Sequence, residues 1–157
     1  MLQRKQTLFL LLAVLCGALT FVFPVDTFTR GDHSYIFRTT GLFTGEGVPV
    51  QDVATKVPFA VLLGVLSGIL LAVVFMYRNR IRQMRLLRMM NLLMLAIVVF
   101  LFITDNSIRV HLAQGGRVAN QFGLSAILPL GMIIFTFLAD RSIRKDEELV
   151  KSMDRLR

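Results

Sequence analysis

The chain has 157 residues, 55% of them apolar, a formal net charge of +8 and a mean hydropathy of +0.66. A soluble domain disperses its apolar residues among polar ones, whereas this sequence gathers them into long uncharged blocks, which excludes an ordinary water-soluble fold as the expectation. So basic a soluble chain would suggest nucleic acid, but the charge here follows the edges of the apolar blocks, so the expected partner is anionic lipid and not nucleic acid.

A helix rises about 1.5 Å per residue, so a block of about 18 or more apolar residues crosses a hydrocarbon core of about 30 Å. Four blocks reach that length, at about residues 7–25, 57–77, 86–104 and 122–139. They predict an all-α membrane protein with four transmembrane helices in one domain. The first block follows Arg4 and Lys5 and holds the single cysteine, Cys16, which has no internal disulfide partner. It resembles a signal peptide, but Phe21-Val22-Phe23 carries the apolar run past the Cys16-Gly17-Ala18 cleavage context, so an uncleaved anchor is expected. Ala13 and Gly17 give this span a small-residue face suited to helix packing.

The outer loop, residues 26–56, carries His33-Ser34-Tyr35-Ile36-Phe37-Arg38 and a second run at Leu42-Phe43-Thr44, with Gly41, Gly45 and Gly47 nearby. This pattern predicts a short β-hairpin resting on the helix ends. The second span is the most apolar, and Ala60, Gly64, Gly68 and Ala72 recur every four residues along it. Such a face lets another backbone approach closely; packing against the Ala13 and Gly17 face is the default and homodimerisation the sharper reading.

The inner loop, residues 78–85, has neither glycine nor proline and forces a tight helical hairpin. Arg78, Arg82, Arg85 and Arg88 lie in or beside it, placed for lipid headgroups. A second outer loop, residues 105–121, turns at Gly115-Gly116. The tail, residues 140–157, continues the fourth span as an amphipathic cytoplasmic helix, with Asp140 paired to Arg144 and Glu147 to Lys151 at i, i+4. Its stripe of Leu149, Val150, Met153 and Leu156 is the candidate partner-binding surface. Thirteen of the eighteen Lys and Arg fall on the side of the inner loop and the two termini, which predicts both termini in the cytoplasm.

No P-loop, H-E-x-x-H, G-x-S-x-G or cysteine cluster is present, so no catalytic residue, cofactor or metal ligand is expected. His33 and His111 read as exposed loop residues, since metal sites need three or four ligands. Every ionisable residue falls outside the central part of its apolar block, which argues against a proton-coupled carrier. A non-enzymatic scaffold or accessory subunit of a membrane assembly, pairing with a protein partner or with itself, is the leading expectation. The alternatives are a small oligomeric transporter or channel lined by Thr20, Ser67, Asn91 and Ser125, and a lipid-acting enzyme using the interfacial arginines.

The opening Met1-Leu2-Gln3-Arg4-Lys5-Gln6-Thr7-Leu8 and the closing Ala139-Asp140-Arg141-Ser142-Ile143-Arg144-Lys145-Asp146-Glu147-Glu148-Leu149-Val150, through Asp154-Arg155-Leu156-Arg157, resemble a domain-of-unknown-function family, number 4293. Its members are short four-span proteins found largely in one phylum of Gram-negative bacteria. The resemblance implies a bacterial inner-membrane location and carries no activity or site residue with it.

Overall fold

The computed structural model describes residues 3–50, 57–76, 79–113 and 116–155. Among these, four α-helices stand side by side and a four-stranded antiparallel sheet closes one end of them. In chain order the elements are α1 (Gln3–Leu19), β1 (Asp26–Arg30), β2 (His33–Arg38), β3 (Gly41–Thr44), α2 (Phe59–Phe75), α3 (Arg80–Ala113), β4 (Ala119–Phe122), a 3-10 turn (Leu124–Ala126) and α4 (Leu128–Arg155). α1 packs against both α4 and α2, and α3 packs against α4.

The all-α expectation is overturned by the sheet, whose strand order is β3-β2-β1-β4. β2 and β3 form a hairpin that pairs Tyr35 with Thr44 and Phe37 with Leu42. β1 pairs along the free side of β2, Phe28 opposite Tyr35, after a two-residue turn in which Gly31 adopts a φ of +57°, a left-handed conformation that glycine reaches without strain. β4 then pairs with β1 from about ninety residues away, Asp26 opposite Phe122. Its sequence, Ala-Asn-Gln-Phe, has no apolar alternation, so only the tertiary pairing makes it a strand.

The four-span expectation is also corrected. Two helices are long and apolar enough to cross a membrane, Arg80–Ala113 and Leu124–Leu149, whereas α1 and α2 are apolar helices of 17 residues each. At about 1.5 Å per residue those two rise about 25 Å, less than a hydrocarbon core of about 30 Å. The difference arises at the block edges. Phe21, Val22 and Phe23 leave α1 through a turn, because Pro24 follows and biases the preceding residue toward extended backbone. Val25 then joins the sheet, its N–H donating to the Phe37 carbonyl at 2.8 Å.

At the other extreme, α3 runs well beyond the expected span at both ends. The expected loops 78–85 and 105–121 both surrender residues to it. Its buried positions, from Gln83 through Leu87, Met90, Met94, Ile97, Leu101, Asp105, Ile108 and Leu112, recur every three or four residues without a break. One continuous face therefore packs inward over about eight turns, and the charged residues among the others do not interrupt the helix.

One continuous core runs from the sheet into the helices. Phe28, Phe37 and Leu42 on the inner face of the sheet pack with Phe59 at the start of α2. Between the helices lie Leu10, Ala13, Leu63, Leu66, Leu70, Leu87, Met94 and Met132, all at most 3% exposed. Opposite them, Leu92, Leu93, Leu95, Val99, Phe100 and Ile103 on α3 and Leu130, Ile134 and Phe137 on α4 face outward and are exposed.

Candidate functional site

Polar side chains gather at three levels along the helices. At the sheet end, α1 terminates where Thr20 Oγ1 donates to the Gly17 carbonyl at 2.6 Å. The Thr20 carbonyl, left without a helical donor, accepts from Ser125 Oγ at 2.7 Å, so the 3-10 turn before α4 caps α1. Asp26 is fully buried beside it, accepting from the Thr27 N–H at 2.7 Å and from Asn120 Nδ2 at 3.2 Å. Asp105 of α3 faces Asp26 closely enough for the two carboxyls to interact, with Arg109 also near. One Asp105 oxygen has no hydrogen-bond partner among the described residues. Strand donors satisfy Asp26, while the charge of Arg109 is the nearby cation that opposes the repulsion at Asp105.

Midway along the helices, Thr136 of α4 bonds the Asn91 side chain of α3 and the Met132 carbonyl, the latter at 2.7 Å. Ser67 of α2 lies against Gly17 of α1, where a Cβ would sit 2.2 Å from its Oγ. The four residues expected to line an oligomeric pore are thus dispersed. Thr20 and Ser125 meet at the sheet end, Asn91 joins Thr136, and Ser67 packs against α1.

At the opposite end the chain is strongly basic. Asp140, whose side chain is 5% exposed, receives Arg88 Nε from α3 at 3.4 Å and Arg144 Nη2 from its own helix at 3.0 Å. The Arg144 pair is the expected i, i+4 contact, and the Arg88 pair is added by the tertiary fold. Gln6 of α1 donates to buried Asp146, and Arg80 stands 3.9 Å from Glu147. The α2–α3 hairpin is closed by Gln83 Nε2 donating to the Val73 carbonyl at 3.1 Å. Asp146, Asp105 and Gln83 were not singled out in the sequence. Their signal is positional, because each falls on the buried three-to-four-residue stripe of its helix.

Arg82, Arg85 and Arg88 are exposed on the first turns of α3, while Arg78 lies outside the described residues. The α1 small residues are enclosed, with Ala13 fully buried and Gly17 held between Ser67 and Met132. The α2 series faces elsewhere. Gly64, Gly68 and Ala72 are exposed and Ala60 half-buried, because α2 turns Leu63, Leu66, Leu70 and Val73 inward instead. A Cβ at Gly68 would meet nothing within 4 Å, and one at Gly64 only the Phe21 ring at 3.7 Å. In the tail Leu149 is exposed, whereas the Val150 and Met153 side chains and all of Leu156 lie outside the described residues.

Three concavities accompany these residues, one of them, about 530 Å³, lying along α4 between Phe137, Asp140, Arg144 and Glu148. Another, of about 470 Å³, opens on the hairpin between Asp32, Tyr35 and Glu46. The third, about 560 Å³, is a groove between α3 and α4 that runs from Arg88, Asp140 and Arg144 down to Leu95, Ile133 and Ile134.

Fold and surface together define a sheet-capped helical protein with two helices long and apolar enough to cross a membrane. The chain belongs to the family described as Domain of unknown function (DUF4293), which it matches over residues 2–156. None of the curated proteins matches it.

Proposed function

We propose that this is a multi-pass protein of the bacterial inner membrane, with both termini in the cytoplasm, acting without catalysis as a scaffold or accessory subunit. The outward apolar surfaces of α3 and α4 support the embedding, since contiguous apolar surface of this extent is unstable against water. The basic end of the helices supports the orientation, because Lys and Arg accumulate on the cytoplasmic side. In this orientation the sheet faces the outside.

The observation that carries the scaffold reading is the empty small-residue face of α2. In lipid, helices associate through close backbone approach and not through burial from water, so a bare Gly64–Gly68 face is suited to a second helix. The test is crosslinking in intact cells, with affinity purification of the tagged full chain and of its Gly68→Ile variant. A defined crosslinked species, homomeric or with one partner, is expected for the wild type and lost at least fivefold in the variant. An unchanged species in the variant, or a purely monomeric wild type, would defeat the reading.

A further inference from the structure

The groove between α3 and α4 differs from the rest of the apolar surface in having a charged head. At its upper end Arg88 and Arg144 converge from two helices on one oxygen of Asp140, at 3.4 and 3.0 Å. The carboxylate is 5% exposed while the two arginine side chains are 56% and 52% exposed. Asp140 therefore holds two guanidiniums in place with a single negative charge. One positive charge is left over, and Asp140 engages one N–H of each guanidinium among the ten donors of the pair.

Below this head the lining changes in order. Asn91 stands one turn down α3 from Arg88, and Leu92 and Leu95 follow it. On α4 the same descent passes from Arg144 and Asp140 to Phe137 and Ile134. From Arg88 to Leu95 the wall is about 10 Å long at a helical rise of about 1.5 Å per residue. The sequence of cation, amide and hydrocarbon matches the order of groups in a glycerophospholipid, from phosphate through ester to acyl chain. Arg82 and Arg85, singled out from sequence for headgroup contact, are exposed on α3 and do not line this groove.

We infer that the α3–α4 groove binds one anionic phospholipid of the leaflet at the basic end, its phosphodiester between Arg88 and Arg144 and an acyl chain along Leu92, Leu95, Ile134 and Phe137. The inference rests on the membrane reading above. The surplus positive charge selects an anionic headgroup, and a planar guanidinium pair suits the paired oxygens of a phosphodiester. A zwitterionic lipid brings its own cation to the same place and binds less well.

The test uses the purified full chain in detergent micelles, with lipid retention read by native mass spectrometry after addition of phosphatidylglycerol or phosphatidylcholine. Phosphatidylglycerol is expected to bind with one-to-one stoichiometry, and about tenfold more tightly than phosphatidylcholine. Arg88→Gln with Arg144→Gln should abolish that preference, and Leu95→Trp, which fills the groove and leaves the ion cluster intact, should reduce retention of both lipids at least fivefold. Arg82→Gln should change neither. Equal retention of the two lipids by the wild type, or unaltered retention in Leu95→Trp, would overturn the inference. Displacement of the lipid by millimolar inorganic phosphate would do the same, by showing a soluble-anion site. So would a photoreactive residue at Leu92 that labels polypeptide and not lipid in cells. Carbonate extraction of cell membranes separates the two failures, since a chain that stays in the membrane yet retains no lipid sinks only this inference, and a chain released by carbonate sinks the membrane reading as well.

Discussion

Single residues here are constrained most where two backbones meet. Gly123 links β4 to the turn before α4, and a Cβ built on it would lie 2.2 Å from the Pro24 carbonyl oxygen and 2.9 Å from its carbon. Its backbone is extended, so the constraint is the approach of the neighbouring chain and not its own conformation. A rotamer change cannot relieve a clash with backbone. Gly123→Ala should therefore destabilise the detergent-solubilised protein by about 1–3 kcal/mol in thermal unfolding. Gly68→Ala is the internal control. It adds a methyl to open space on a helix, and the monomer should stay within about 0.5 kcal/mol of wild type or gain slightly from helix propensity. Nothing in the sequence separates these two glycines except that one lies within a helical series of small residues and the other near the start of an apolar block. The distinction is made entirely by what approaches them.

Elements differ in how far local pattern specifies them. The hairpin of β2 and β3 was legible because apolar residues alternate about a glycine-flanked turn, a signal contained within a dozen residues. α2 was legible as an uninterrupted apolar run. The full length of α3 was present in the sequence too, as a stripe of three-to-four-residue spacing through Asp105 to Leu112, but a search for uncharged blocks stops at Thr104. β1 and β4 are different in kind. Each is short, β4 is polar, and their pairing joins segments about ninety residues apart, so no local window contains the information. The Asn120 amide donating to buried Asp26 ties these two strands together on the face toward α3. A double-mutant cycle of Asp26→Asn and Asn120→Ala should give a coupling of about 1 kcal/mol in unfolding measurements. Additivity of the two changes would mean that the backbone ladder holds β4 without this contact.

Across the whole molecule the two ends have opposite characters. The sheet end balances acids such as Asp26, Asp32, Glu46 and Asp105 against Arg30, Arg38, Arg109 and Arg117, while the other end displays Arg82, Arg85, Arg141, Arg144 and Lys145 on its surface. Between them the outward faces of α3 and α4 are apolar. The charge asymmetry was readable from sequence because it needs only a count of Lys and Arg between apolar blocks. The convergence of Arg88 and Arg144 on Asp140 was half readable. The i, i+4 partner lies on one helix, but Arg88 arrives from a helix fifty-two residues earlier, and the groove below them exists only when α3 and α4 pack.

The proposed orientation puts the basic end of the helices in the cytoplasm and the sheet outside. It is tested most directly by thiol accessibility in right-side-out membrane vesicles, with Cys16→Ser as background and single cysteines at Thr29 on β1 and at Arg85 on α3, both exposed positions. A membrane-impermeant maleimide should label Thr29→Cys in sealed vesicles and Arg85→Cys only after permeabilisation. Labelling of both before permeabilisation, or of Arg85→Cys alone, would rule this orientation out.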